Sequence, residues 1–165
     1  MKIYVVTAVG KGLTRLSAFD RALQRMGVHN YNLILLSSIV PPQCEVIPVH
    51  KYNAPEGEYG HRLYVVKADI RSSERGQFIA AGLGWYQRKD GRGVFVEHTV
   101  LGYDKKTVVV EISRKIEDSV HDLCVFRHIH FNPKKVKKAI AVTGVEDKPA
   151  CALAVAVYQA EGWRP

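Results

Sequence analysis

The sequence predicts a strand-rich domain with two helices, of the α/β or α+β class, and three observations carry that reading. Runs rich in β-branched residues recur along the chain, most of them bounded by Gly, Pro or polar turns. Only two segments show the three- and four-residue apolar steps of an amphipathic helix. No internal repeat, low-complexity tract or Gly/Ser linker divides the 165 residues. With 47% hydrophobic and 24% charged residues, this is the make-up of one globular domain. At such a length roughly 70% of the extended surface is buried on folding, enough for a real core.

Ile3 to Val9 is β-branched and ends at Gly10 and Gly12, which predicts a first strand. Thr14 to Met26 follows as a helix, with Leu16, Phe19, Leu23 and Met26 at helical steps and Gly27 as its stop. Asn32 to Leu36 is a short apolar strand. It is closed by Ser37-Ser38-Ile39-Val40-Pro41-Pro42, where paired prolines cannot donate to a ladder and regular structure has to end. Cys44 to Val49 and Arg62 to Ile70 read as strands joined by a polar stretch with Pro55 and Gly57. Phe78 to Gln87 and Val94 to Val100 flank Lys89-Asp90-Gly91-Arg92-Gly93, and the Asp-Gly step predicts a hairpin. Asp104 to Leu123 is the second helix, capped by Asp104, with Val109, Ile112, Ile116 and Val120 on one face. The run Val108-Val109-Val110 also fits a strand. Val125 to Phe131, Ala139 to Val145 and Ala150 to Tyr158 complete the strands.

Lys+Arg 24 against Asp+Glu 16 gives a formal net charge of +8. That excess raises nucleic acid, an anionic membrane or an acidic ligand as partner without choosing among them. No apolar run approaches the roughly 18 residues of a membrane span, and the first ten residues read as a strand rather than a leader. Cys44, Cys124 and Cys151 are odd in number and lack CxxC spacing, which points away from a disulfide framework and toward the reducing cytoplasm. Lys134-Lys135-Val136-Lys137-Lys138 and Arg88-Lys89 are read as solvated faces, since no aromatics interleave the first run and no nucleic-acid fingerprint is present. His128 and His130 would share a strand face, and His98 adjoins Glu97, yet the spacing defines no metal set and none is expected. GxGxxG, GxxxxGK[ST] and GxSxG motifs are missing.

The segment Ser37-Ser38 carries a chemical possibility. Attack of the Ser38 hydroxyl on the Ser37 carbonyl gives an ester, and elimination with hydrolysis then leaves a pyruvoyl group at residue 38. The spacing alone does not select this chemistry. Leu16-Ser17-Ala18-Phe19-Asp20-Arg21-Ala22-Leu23, Asn30-Tyr31-Asn32-Leu33-Ile34, Ser37-Ser38-Ile39-Val40-Pro41-Pro42 and Glu45-Val46-Ile47-Pro48 together resemble the pyruvoyl-dependent arginine decarboxylase family. Gly93-Val94-Phe95-Val96-Glu97 is similar to its glutamate-bearing strand. Ala139-Ile140-Ala141-Val142 and Cys151-Ala152-Leu153-Ala154 are similar to its closing strands.

The resemblance implies an α+β fold, a compact multilayer αββα-type sandwich with one domain per protomer. It implies self-cleavage into residues 1–37 (β chain) and 38–165 (α chain), with Ser37, Ser38 and Asn32 in processing and Ser38 as precursor of a covalent pyruvoyl group. That group would hold the substrate amine as a Schiff base and act as electron sink. Glu97 matches the proton donor, a role that implies burial. Asp20 matches the acid that meets the substrate's basic end, and Leu16, Phe19, Leu23 and Ile39 match apolar pocket positions. His29 and Tyr31 stand where the family commonly has smaller residues, which implies a narrowed pocket. The implied partners are a small amino acid, most simply arginine going to agmatine and carbon dioxide, and two further copies in a homotrimer with sites between protomers. Two alternatives stay open: decarboxylation of a different amino acid, and an uncleaved, non-catalytic homologue that binds or assembles.

Overall fold

A computed structural model describes residues 1–163. The chain runs β1 (Lys2–Lys11), α1 (Arg15–Met26), β2 (Asn32–Leu35), β3 (Ile39–Val40), β4 (Glu45–Pro48), β5 (Arg62–Ser72), β6 (Phe78–Gln87) and β7 (Gly93–Gly102). It continues with α2 (Lys105–Phe126), a 3-10 turn at Pro133–Lys135, β8 (Lys137–Gly144) and β9 (Ala150–Glu161). Five strands form one sheet in the order β2-β5-β9-β1-β4, and four form the other in the order β3-β7-β6-β8. The pairs β1–β4 and β2–β5 are parallel and the remaining pairs antiparallel.

Side-chain size along the two central strands sets the layering. On β9, Ala152, Ala154 and Ala156 face the other sheet, while Cys151, Leu153, Val155 and Val157 join Ala18, Ala22 and Met26 of α1. On β6 the larger Ile79, Leu83 and Trp85 fill the space between the sheets, while Ala80 and Tyr86 face α2. Period-2 alternation therefore divides each strand between two cores. The result is α1, sheet, sheet, α2: the αββα sandwich. Both helices approach closely enough to demand glycine beneath them. A Cβ at Gly10 would lie 2.0 Å from the Ala18 carbonyl oxygen, and one at Gly84 would lie 2.1 Å from Ile116 Cγ2.

The helix ends follow their capping residues. Thr14 Oγ1 accepts from the Ser17 N–H and Ser17 Oγ accepts from the Thr14 N–H, both at 3.0 Å, a reciprocal box that starts α1. Asp104 Oδ2 accepts from the Thr107 N–H at 2.7 Å and starts α2. Those hydrogen bonds hold the Asp104 carboxyl below the usual carboxylate range.

Three expectations change. The buried row of α2 is Val108, Ile112, Ile116, Val120 and Cys124, and Val109 lies outside it. An i, i+4 row slants across the helix axis, so a helix crossing strands obliquely buries that row. The strand expected at Val125 to Phe131 does not form, because α2 runs on until Phe126 so that Cys124 can be buried. His128 then takes φ 53, and the Ile129 N–H returns to the Cys124 carbonyl at 2.8 Å, which ends the helix. His128 and His130 consequently share no strand face. Finally, Ile39–Val40 breaks the irregular stretch with a two-residue pairing to Val94 and Gly93, before Pro41 ends the ladder. Among the described residues, no helix is long and apolar enough to cross a membrane.

Candidate active site

Ser38 occupies the step between β2 and β3, at the edge of the four-stranded sheet. Its φ of 59 is in the left-handed region, where a residue bearing a Cβ is strained by about 1–3 kcal/mol unless its surroundings hold it. Two contacts hold it. The Phe95 N–H donates to the Ser38 carbonyl at 2.8 Å, extending the β3–β7 pairing by one residue. The Ser38 hydroxyl donates to the carboxylate of Glu97. Glu97 is two residues beyond Phe95 on β7 and therefore on the same side of the strand. The Phe95 side chain is buried between the sheets, whereas Glu97 is exposed at the rim. The burial expected of Glu97 is thus not supplied by this chain.

The opposite sheet contributes Tyr158. Its hydroxyl donates to the Ile39 carbonyl at 2.9 Å, and its ring lies 6.3 Å from that of Phe95. Burial, with Cys44 and Glu97 nearby, pushes its phenol well above the ordinary tyrosine range, so the ring stays a neutral donor. A cavity of about 470 Å³ opens beside this segment, bordered by Leu36, Pro41, Cys44, Tyr64, Tyr158 and Glu161. Its polar end is fixed: Tyr64 donates to Glu161 at 2.6 Å, and Arg62 pairs with Glu161 at 3.2 Å. Tyr158 and Phe95 were not singled out from the sequence. The available signal was a polar-tipped aromatic ending the apolar run that begins at Ala150.

Apart from Ile39, which adjoins Ser38, the remaining candidate residues lie elsewhere. Asp20 is exposed on α1 and borders a cavity of about 540 Å³ with Lys11, Thr14, Ser17, Arg21 and Gln24, which shares no residue with the cavity bordered by Tyr158. Leu16 is 70% exposed on the same helix. Phe19 is half-buried beneath the Arg71 guanidinium, 3.7 Å from its ring centroid. Leu23 is buried in the core under α1, and Ile39 is half exposed. His29 is exposed. Tyr31 is partly buried, donates to Glu58 and packs edge-on against Tyr52. Asn32 donates from its side-chain amide to the Gly60 carbonyl at 2.7 Å, while its backbone N–H meets His61 O at 2.8 Å. Its amide is thus engaged with the 58–61 turn rather than with the Ser37 carbonyl. The chain brings Ser38, Glu97 and Tyr158 together, and leaves Asp20 and Leu16 apart.

The family model for pyruvoyl-dependent arginine decarboxylase matches residues 2–162. The chain belongs to that family. Similar proteins include the pyruvoyl-dependent arginine decarboxylase of Pyrococcus furiosus, 35% identical over 158 residues covering 94% of this chain and 93% of that one. That of Pyrococcus abyssi is 34% identical over 156 residues with the same coverage. That of Halobacterium salinarum is 39% identical over 97 residues, covering 58% of this chain and 59% of its own. The family description names a pyruvoyl-dependent decarboxylase. The Ser38 corner fits such a group: a hydroxyl is present at the rim, its own carbonyl is held, and a carboxylate touches its oxygen.

Proposed function

We propose that this chain is a self-processing decarboxylase of arginine whose pyruvoyl group arises from Ser38. The observation that carries the reading is the Ser38–Glu97 hydrogen bond at a left-handed serine, in a chain of this family. Glu97 is placed to take the hydroxyl proton as Ser38 Oγ attacks the Ser37 carbonyl, which breaks the peptide C–N bond and leaves an ester. Loss of the residue 38 α-proton with departure of the Ser37 carboxylate then parts residues 1–37 from 38–165. Water releases the residue 38 nitrogen as ammonia to leave the ketone. The left-handed backbone favours departure from the ordinary peptide geometry, and strain released on cleavage helps drive the step. The pyruvoyl group supplies, once formed, a ketone that accepts electrons as carbon dioxide leaves.

The chain's own residues then do three things. Glu97 delivers a proton to the carbon that has lost carboxylate, the work of a general acid within reach of the residue 38 position. Tyr158 pins the Ile39 carbonyl, so that residue 38 stays facing Glu97. Asp20 offers two acceptor oxygens to the planar fork of a guanidinium. The distance of Asp20 from the Ser38 corner supports a homotrimer in which α1 of one protomer completes the site of its neighbour. Leu13 and Leu16 beside Asp20 are 85% and 70% exposed, and Leu35 and Ile39 flanking Ser38 are 63% and 50% exposed. Two apolar rims of this kind favour contact between copies, and such a contact would supply the burial Glu97 needs. Free, buried Cys44, Cys124 and Cys151 support a reducing, cytoplasmic setting.

A panel of amino acids assayed for carbon dioxide and amine release tests the substrate. Agmatine from arginine is the expected product. Turnover of a different amino acid with arginine inert would transfer the proposal to that substrate and identify Tyr31 and His29 as the residues to vary.

A further inference from the structure

A third cavity lies on the β6–β8 side of the four-stranded sheet and shares no lining residue with the cavity beside Ser38. It encloses about 270 Å³ and is lined by Trp85, Gln87, Lys134, Lys135 and Lys137. Trp85 of β6 lies opposite Lys137 of β8, so the indole and the lysine leave the sheet on the same face. The 3-10 turn brings Lys134 and Lys135 over them. Trp85 is 2% exposed, and its Nε1 is a buried donor without a hydrogen-bond partner among the described residues. An indole N–H only donates, and leaving such a group unpaired in the interior is costly, so an acceptor is called for.

The charges ask for the same thing. Lys138 faces the other side and is paired with Glu117, whereas Lys134, Lys135 and Lys137 form no ion pair among the described residues. Three ammonium groups around one cavity repel each other at the distances over which screening is weak. Gln87 adds no donor, because its amide nitrogen already donates to the Cys44 carbonyl at 3.0 Å and the Gly91 carbonyl at 2.9 Å. The site therefore offers one fixed neutral donor and three cations. Its volume is just under the roughly 300–1,000 Å³ of pockets that take drug-sized molecules. A carboxylate would leave charge uncompensated, while a tetrahedral dianion presents oxygens to every wall.

We propose that this cavity is a binding site for a phosphate group, with the Trp85 N–H and the three lysines as its donors. The chain has two tryptophans, and the other, Trp163, donates to the Gly60 carbonyl at 2.9 Å, so it serves as an internal control. Indole N–H resonances of the full-length protein are followed by NMR during titration with inorganic orthophosphate, against chloride at equal ionic strength. The expected result is a saturable shift of the Trp85 resonance with Trp163 unmoved. Calorimetry should give roughly tenfold weaker binding for Trp85→Phe, which keeps the ring but loses the donor. A several-fold loss is expected for the exposed Lys137→Ala, the deciding variant if Trp85→Phe fails to fold. A parallel titration with glycerol phosphate separates the sources: tighter binding assigns a phosphomonoester, and weaker binding assigns the free ion. The proposal is overturned if neither compound moves the Trp85 resonance beyond the chloride control, or if affinity is unchanged in Lys137→Ala.

Discussion

The Ser38 corner and the outer face of α1 hold the two halves of one proposed chemistry, and they are built in opposite ways. At the Ser38 corner, three strands from two sheets converge: β3 carries Ile39, β7 carries Phe95 and Glu97, and β9 carries Tyr158. The Ser38 hydroxyl, the Ser38 carbonyl and the Ile39 carbonyl there each have a partner within the chain. On α1, Leu16 and Asp20 stand in solvent. On the proposed reading, the difference teaches that a single chain holds the group that would react, while recognition of the substrate's charged end would fall to a second copy. Processing and substrate binding should therefore respond separately to mutation.

The largest effect is expected at the reacting residue. Ser38→Ala removes the hydroxyl that starts cleavage, so the chain should stay whole and amine release should fall to background, as read by gel and product assay. Glu97→Gln comes next. It keeps the shape but not the acidic proton, and turnover should drop by about 10²–10⁴-fold with slower processing as well. Normal turnover in Glu97→Gln would remove Glu97 from both roles. Asp20→Asn is the variant that divides the two regions: processing should be complete, while KM for arginine rises by roughly 10–100-fold. Impaired processing in that variant would break the separation.

Smaller effects fall on the scaffold. Tyr158→Phe removes the hydrogen bond to the Ile39 carbonyl and should lower stability by about 1–3 kcal/mol in denaturant titration, with slower processing because residue 38 loses its anchor. The smallest expected effect is at His98, which lies next to Glu97 and contacts Ser119 Oγ at 2.8 Å. Burial first, then the Lys115 charge, lowers its affinity for protons below the ordinary value near 6.5, although Glu97 opposes the shift. The unfolded chain then binds the proton more readily, so the stability is present above pH 6.5 and declines as pH falls through the folded value. A Tm series between about pH 7.5 and 5 should be flatter in His98→Gln than in the parent.

Much of this architecture was legible because local signals and global needs agree. Thr14, Gly27 and Asp104 cap helices where their chemistry says they should, and Asp90-Gly91 closes the β6–β7 hairpin with Gly91 at φ 84. What escaped was long-range. The Ile39–Val40 pairing exists because β7 offers Val94 and Gly93 as partners, information absent from a segment followed by two prolines. Val125 to Phe131 has strand composition, yet burying Cys124 against β6 and β7 keeps it helical through Phe126. In the site, Ser38 and Glu97 were readable from motif resemblance, whereas Tyr158 is brought to Ile39 across 119 residues by the facing of two sheets. Asn32 matched the motif too, but its amide partner, Gly60, belongs to a loop no pattern places.

The central claim is that this chain cuts itself before Ser38, and intact-mass measurement of the purified protein tests it most directly. The account predicts two polypeptides, residues 1–37 and 38–165, the larger without a free amino terminus. A single 18.5 kDa species with unmodified Ser38 after prolonged incubation would contradict it.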